Sequence, residues 1–273
     1  MSLLLPLTLM LMQVGIDPRG GQVPGLPEEL RDRPPRGAAP STRAASTRPA
    51  IDVCLTTARD DPAKARALAE QWVARTAGPQ RAAGHPCLGV AAGNAGDWAA
   101  ASSAFLAARD GAAEPRFRAR MGALAGTALL AQDKPAEALA ALDTARGEAA
   151  NDAVLGGEIA LERAVALVRL ERAAEASAAL AEARRLRPED ANSWLLSATL
   201  ARRQGDLATA QQQIERAASL DPRDPAVGLE ASVIAALRGQ DAAARLSFES
   251  VIAAAPDSEQ AASARIYLAQ LTR

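Results

Sequence analysis

The sequence predicts an all-α protein built from repeated helical hairpins, and three observations support this fold class. Hydrophobic residues make up 49% of the 273 residues, yet aromatic residues make up only 3%, and much of the apolar content is alanine. Alanine is the strongest helix former, whereas a β-sandwich would need Val, Ile, Thr and aromatic side chains. After residue 50, no stretch alternates apolar and polar residues over the length of a strand. Prolines also recur at a constant interval, at Pro188, Pro222 and Pro256, and we call this interval the repeat step.

The same repeat step connects other positions, which indicates a structural repeat rather than chance. A period of this length in an alanine-rich chain is typical of stacked helical hairpins. Three further columns share the step, and they are Ala176, Ala210 and Ala244; Leu180, Ile214 and Phe248; and Gly205 and Gly239.

Each repeat unit is expected to contain a first helix, a turn and a second helix, as in Ala191 to Asp224. Gly205 ends the first helix of this unit, because glycine adopts the left-handed C-terminal conformation without steric cost. Asp206 follows as a candidate N-cap of the second helix. The inner faces of the two helices follow helical spacing at Trp194, Ala198, Ala201, Ala210, Ile214 and Ala217.

This pattern resembles the tetratricopeptide repeat. The signature spacings of that family are occupied here by Trp194, Ala198, Gly205, Ala210, Ile214, Ala217 and Pro222. The resemblance covers residues 51–273 and implies about six units followed by a C-terminal capping helix. It departs from the family pattern in the first helix, where Leu167, Ala201 and Ala235 replace the usual aromatic residue. It implies a right-handed superhelical solenoid of antiparallel hairpins.

The resemblance also implies a function, because such solenoids bind partner proteins on a concave groove lined by first helices. The basic and asparagine clamp with which some members bind a C-terminal carboxylate is missing here, which disfavours a chaperone-tail function. Two interpretations of Arg202 and Arg203 stay open: they pair with acidic residues of a partner, or they are solvated or paired within the chain. The expected groove residues are Glu158, Leu161, Val165, Val168, Arg169, Asn192, Leu195, Thr199, Arg202, Arg203, Leu229, Val233 and Leu237.

The two cysteines, Cys54 and Cys87, are separated by close to one repeat step. They therefore fall on the first helices of adjacent units, and a disulfide between them is geometrically feasible. Closing such a loop would stabilise the fold by roughly 3–4 kcal/mol in the chain-entropy model. The alternative is two buried free cysteines that act as small apolar side chains.

The first fifty residues have a different composition from the repeats. Residues 1–16 contain an apolar run from Leu3 to Ile16, which is shorter than a bilayer-spanning helix and fits the hydrophobic core of a signal peptide. A disordered or docked N-terminus is the alternative, since no Lys or Arg precedes the run. Residues 17–50 are rich in Pro and Arg and are expected to form a disordered linker. Export, to the periplasm, is the resulting prediction, with the cytoplasm as the alternative.

Other functional classes find little support in the sequence. The net charge of −1 provides no field that would attract nucleic acid or an anionic membrane. The single histidine, His85, does not make a zinc site with two cysteines, and no phosphate-binding loop or nucleophile motif is present. We therefore expect no catalysis, no cofactor, no metal site, no nucleic-acid partner and no membrane span in the mature chain. The predicted function is protein binding in the groove, with a self-associating homo-oligomeric scaffold as the alternative.

Overall fold

The computed structural model describes residues 50–149 and 152–271. The predicted apolar N-terminal segment and all of the predicted linker except Ala50 lie outside the described residues. Fourteen helices and no strand are found within the described ranges. The helices are α1 (Ala50–Asp60), α2 (Pro62–Arg75), α3 (Gly78–Ala82), α4 (His85–Asn94), α5 (Trp98–Asp110), α6 (Pro115–Ala131), α7 (Pro135–Ala149), α8 (Ala153–Arg169), α9 (Ala173–Leu186), α10 (Ala191–Arg203), α11 (Leu207–Leu220), α12 (Pro225–Leu237), α13 (Asp241–Ala254) and α14 (Glu259–Leu271).

The helices pack in pairs, and each pair packs against the next. The paired helices are α1 with α2, α4 with α5, α6 with α7, α8 with α9, α10 with α11, and α12 with α13. The short helix α3 is inserted between the first two pairs, and α14 packs against α12 and α13 at the end of the described chain. The expected all-α solenoid of helical hairpins is therefore confirmed.

Five of the six hairpin turns contain one residue with a positive φ angle. Glycine occupies this position in three of these turns, at Gly96 (φ 77°), Gly205 (φ 84°) and Gly239 (φ 73°). The prediction that Gly205 ends its helix in a left-handed conformation is thus confirmed. Asp133 (φ 56°) and Glu171 (φ 60°) hold the same position in the other two turns. A left-handed conformation costs a non-glycine residue roughly 1–2 kcal/mol, so these two turns store strain.

Aspartate side chains cap the N-termini of both kinds of helix. Asp206 accepts a hydrogen bond of 3.0 Å from the Thr209 amide at the start of α11, which confirms it as the N-cap. Asp190 accepts from the Ser193 amide at 3.0 Å at the start of α10 in the same way. Such caps satisfy backbone donors that a helix leaves free, and each is worth about 1 kcal/mol.

Within the second and third hairpins, a glycine of the first helix faces a large side chain of the second helix. A Cβ atom on Gly89 would lie 2.5 Å from the Phe105 ring, and a Cβ on Gly126 would lie 2.5 Å from Leu142 Cγ. The residues at the equivalent position of α8, α10 and α12 are also small, namely Ala164, Ala198 and Ser232, and all three are buried. Small side chains at this position let the paired helices approach closely.

The first hairpin is attached to the second through polar and covalent contacts. The structure joins Cys54 of α1 to Cys87 of α4, with a Cα–Cα distance of 6.0 Å that suits a disulfide. Arg66 forms an ion pair of 2.9 Å with Asp97, and the Asn94 side chain donates a hydrogen bond of 2.7 Å to the Ala58 carbonyl. Oxidation of the cysteines in the cell stays a prediction.

Candidate protein-binding groove

A pocket opens between the first helices α8 and α10, and we call it the central pocket. Its volume is about 190 Å³. The buried residue Leu180 of α9 also lines the pocket, between the two first helices. The helices contribute aliphatic side chains to its walls, while an arginine from each lies at its edge. The lining residues are Ala164, Val165, Val168, Arg169, Leu180, Leu196, Thr199, Leu200 and Arg203.

The periodicity of α8 and α10 explains why these residues share one face. Val165, Val168 and Arg169 occupy positions i, i+3 and i+4 of α8, so their side chains project from one side of the helix. Leu196, Thr199 and Arg203 occupy positions i, i+3 and i+7 of α10 and likewise share one side of their helix. Val165, Val168, Leu196 and Thr199 are only partly buried, so the wall of the central pocket is apolar and accessible.

The two arginines at the pocket differ in how they are held. Arg169 donates a hydrogen bond to the Leu130 carbonyl and lies 3.7 Å from the Asp133 carboxylate. Arg203 is exposed, and among residues 50–149 and 152–271 it forms neither a hydrogen bond nor an ion pair. A guanidinium on an apolar rim that lacks an internal partner can bind a carboxylate of another molecule.

A second depression lies next to the central pocket, between α6, α8 and the start of α10, and we call it the polar cleft. Its volume is about 280 Å³. Its polar side chains pair with one another, since Arg120 bridges to Glu158 at 3.0 Å and Arg187 bridges to Asp190 at 3.3 Å. The residues of the polar cleft are Arg120, Ala123, Leu124, Thr127, Glu158, Leu161, Glu162, Arg187, Asp190 and Asn192.

Glu162 is the exception within the polar cleft. It forms no hydrogen bond or ion pair with any residue in the described part of the chain. Burial raises the pKa of Glu162 above its ordinary value, and the positive charge of Arg169 opposes this shift only in part. A partly buried carboxylate whose desolvation is only partly offset by a nearby charge is costly for the fold, and this cost would fall if a ligand supplied a cation.

The structure brings most of the predicted groove residues together. Val165, Val168, Arg169, Thr199 and Arg203 line the central pocket. Glu158 and Asn192 line the polar cleft, together with Leu161, which is almost fully buried.

Two predicted groove residues serve the fold instead. Leu195 is only 8% exposed and belongs to the core formed by α10, α11 and α12, so it does not offer a surface to a partner. Arg202 forms two hydrogen bonds with Glu230, from Nε at 2.6 Å and from Nη2 at 3.3 Å. Of the two interpretations open for Arg202, pairing within the chain is the one that the structure shows.

The remaining predicted residues belong to the following first helix, α12. Leu229 and Val233 are half-buried and pack against the last hydrophobic cluster, whereas Leu237 is exposed. None of these three residues lines the central pocket. They continue the same face of the solenoid by one repeat.

Sequence reasoning missed Glu162 and Leu196, which are related by one repeat step. A signal for Glu162 was available, since Glu162, Val165 and Arg169 are spaced i, i+3 and i+7 and so lie along one face of α8. The absence of an ion pair for Glu162 could not be read from its neighbours in sequence.

Among the described residues, nothing covers one apolar face of the helix α14, and we call it the C-terminal face. Ile266 of α14 occupies the position that is held by Ala198 and Ser232 in α10 and α12. Those two residues are fully buried, whereas Ile266 is 60% exposed. Tyr267 of α14 and Leu246 of α13 are exposed as well.

Within the described ranges, no helix combines the length and the apolar content that crossing a bilayer requires. No cluster of three or more His, Cys, Asp or Glu side chains in the same ranges could hold a metal ion.

The comparisons with known proteins agree on the fold. No protein-family model matches the chain, and no curated protein matches it. Among solved structures, PilW, described as a widely conserved type IV pilus biogenesis factor, has a TM-score of 0.66 at 17% identity, covering 79% of this chain and 98% of its own. PilF of Pseudomonas aeruginosa has a TM-score of 0.64 at 16% identity, covering 80% of this chain and 97% of its own.

YrrB is described as a tetratricopeptide repeat protein with an unusual peptide-binding site. Its TM-score is 0.51 at 18% identity, and the match covers 67% of this chain and 90% of YrrB. At these identities the likeness concerns the fold alone. The chain is a solenoid with the fold of tetratricopeptide repeat proteins, as the sequence pattern predicted.

Proposed function

We propose that this chain is a protein-interaction module that binds a peptide segment of another protein in the central pocket. The observation that carries the proposal is an accessible apolar pocket on the first helices with an arginine at its rim that has no partner in the described part of the chain. Pockets of this kind are where a binding partner gains the most, because apolar burial and a charged contact occur together.

The pocket suits one large apolar side chain of the partner. Burying a leucine or phenylalanine side chain contributes roughly 1.5–3 kcal/mol. That contribution alone gives weak binding, so further contacts along α6, α8 and α10 must add to it. The peptide-binding site described for YrrB, a protein of this fold, is consistent with the proposal.

Binding without catalysis and export to the periplasm complete the proposed function. The central pocket offers aliphatic walls and arginines, and it contains neither a histidine nor a carboxylate that could act as a general base. Export is supported by the apolar N-terminal run of the sequence and by the joined cysteines of α1 and α4, since disulfides persist in oxidising compartments.

Site-specific photo-crosslinking in native cells tests this function. A photoreactive amino acid at Thr199, which lines the central pocket, should capture a defined partner that mass spectrometry can identify. The same amino acid at Gln212, an exposed residue on α11 that lines no described pocket, is the matched control. If both positions capture the same proteins or neither captures any, the proposed function is wrong.

A second candidate function is self-association into a homo-oligomeric scaffold, and the C-terminal face favours it. Exposed Ile266, Tyr267 and Leu246 would be buried if a helix of a second copy packed on α14. Light scattering coupled to size exclusion would show a concentration-dependent dimer, and Ile266→Glu should convert it to a monomer. A wild-type protein that is monomeric at high concentration excludes this candidate.

A further inference from the structure

The groove presents its chemistry in a fixed order along the helix axes. On α8 the order from the N-terminal side is Glu162, then Val165, then Arg169. On α10, Leu196 stands at the level of Glu162 and Arg203 at the level of Arg169, because one repeat step relates the two helices. Glu162 lines the neighbouring polar cleft, so a carboxylate lies beside one end of the central pocket, and guanidinium groups line its other end.

Of these charges, one of each sign is free to contact a ligand. Glu162 has no hydrogen-bond or ion-pair partner among the described residues, while its neighbours Arg120 and Arg187 are paired with Glu158 and Asp190. Arg203 likewise has no partner there, while Arg169 is held by the Leu130 carbonyl and Asp133. A ligand that spans the central pocket and reaches into the polar cleft thus meets one unpaired carboxylate and one unpaired guanidinium group.

The spacing of these two charges sets the spacing in the ligand. From the level of Glu162 to Arg203 is about seven residues of helix, which corresponds to about 10 Å along the axis at roughly 1.5 Å per residue. An extended peptide advances about 3.3 Å per residue. The two groups also stand on different helices, and neighbouring helix axes lie roughly 8–10 Å apart, so the diagonal between the groups is about 13–14 Å. Two charged side chains four positions apart in an extended peptide span this distance, and they point to the same face as the side chain midway between them.

We infer that the ligand is an extended peptide with a large apolar side chain midway between one basic and one acidic residue, the two charges four positions apart. The apolar side chain enters the central pocket, the basic residue pairs with Glu162, and the acidic residue pairs with Arg203. This inference rests on the proposed function and adds the chemical class of the bound segment. It uses charge complementarity, which sets specificity more than affinity.

Selection from a random heptapeptide library tests the inference. The library is displayed multivalently on phage, so that avidity compensates for weak single contacts, and it is selected on the immobilised full-length chain. Enriched peptides should carry Lys or Arg and Asp or Glu four positions apart, with a large apolar residue midway between them and the same order of charges throughout. The best peptide is then synthesised with blocked ends and titrated by fluorescence anisotropy.

Variants of the chain separate the two charge contacts. Arg203→Glu should weaken the selected peptide by about tenfold or more, since a charge-assisted hydrogen bond is lost and a repulsion is added. The Arg203→Glu variant should also bind a peptide whose acidic residue is replaced by Lys more tightly than it binds the selected peptide. Glu162→Gln should weaken the binding of only those peptides that carry the basic residue. Arg238→Glu is the matched control, because Arg238 is exposed at the end of α12 and lines no described pocket.

The possible results distinguish this inference from the proposed function. Enrichment of the charged pattern, with the responses of Arg203→Glu and Glu162→Gln described above, supports both. Enrichment of apolar peptides without a charge pattern, which still compete with the partner captured at Thr199, overturns the inference and leaves the proposed function standing. If no peptide is enriched and Thr199 captures nothing in cells, both are overturned.

Discussion

The contact between Gly126 of α6 and Leu142 of α7 makes a quantitative prediction about how these hairpins pack. Replacing a glycine in the interior of a helix by alanine is normally stabilising by about 1 kcal/mol. In Gly126→Ala, however, the new Cβ would lie 2.5 Å from Leu142 Cγ, well inside van der Waals contact. Leu142 is fully buried, so its side chain has no room to move away.

The two effects oppose each other, and their magnitudes decide the sign. Overpacking a well-packed core costs typically about 1–3 kcal/mol, which exceeds the gain in helix propensity. We expect Gly126→Ala to destabilise the fold by about 1 kcal/mol net. For a domain of this size, that corresponds to a decrease of roughly 2–4 °C in Tm, measurable by circular dichroism or calorimetry.

Two further variants make the test specific for this contact. Gly147 lies in the last turn of α7, where a Cβ would meet no atom within 4 Å. Gly147→Ala should therefore increase the free energy of unfolding by about 0.5–1 kcal/mol and raise the Tm. In a Leu142→Ala background the space around Gly126 is free, so that Gly126→Ala should become stabilising and the two substitutions should be non-additive. An increase in Tm for Gly126→Ala alone, similar to that of Gly147→Ala, would refute this account of the packing.

Three other predictions concern a turn, the disulfide and the groove carboxylate. Glu171→Gly should raise the Tm, because glycine adopts the φ of 60° without the strain of about 1 kcal/mol that glutamate bears there. Gly205→Ala is the opposite change and should lower the Tm. Cys87→Ser, or reduction of the disulfide, should increase amide hydrogen exchange in α1 and α2 but not in the later hairpins. The disulfide stabilises the first hairpin by roughly 3–4 kcal/mol through loop closure, and the terminal units of a repeat array unfold first. Burial raises the pKa of Glu162, so the folded state holds its proton more tightly than the unfolded chain and stability falls as the pH rises through that pKa. Glu162→Gln should therefore raise the Tm at about pH 7.5 and lose this advantage below the ordinary glutamate pKa of 4.5, and equal pH profiles for both proteins would contradict it.

Most of the fold could be predicted from the sequence, because the fold depends on local and periodic features. The repeat step, the glycine at position 205 and the aspartate cap at position 206 each have a direct structural consequence, and all were found where expected. The left-handed conformations of Asp133 and Glu171 do not follow from residue type, because both residues stand at the helix-ending position that glycine holds in three other turns, with the same backbone hydrogen bond from the next residue back to the first helix.

The candidate site was only partly predictable, since exposure depends on contacts between repeats. Family spacing places Leu195 on the same helix face as the groove, yet the next hairpin covers it. Arg202 and Arg203 are adjacent and chemically identical, but only Arg202 reaches Glu230 of the following repeat. The difference between a paired and an available arginine therefore arises from the arrangement of two repeats and not from either one.

A repeat protein acquires a specific site where equivalent positions stop being alike. Glu162, Leu196 and Glu230 stand one repeat step apart on α8, α10 and α12. Glu162 is an acid without a partner among the described residues, Leu196 forms part of an apolar wall, and Glu230 is neutralised by Arg202. A uniform column would give the same surface on every unit and no preferred position for a ligand. Because these three differ, an unpaired acid, an apolar pocket and an unpaired arginine lie next to one another around α8 and α10 in the described part of the chain, and the proposed function places the partner there.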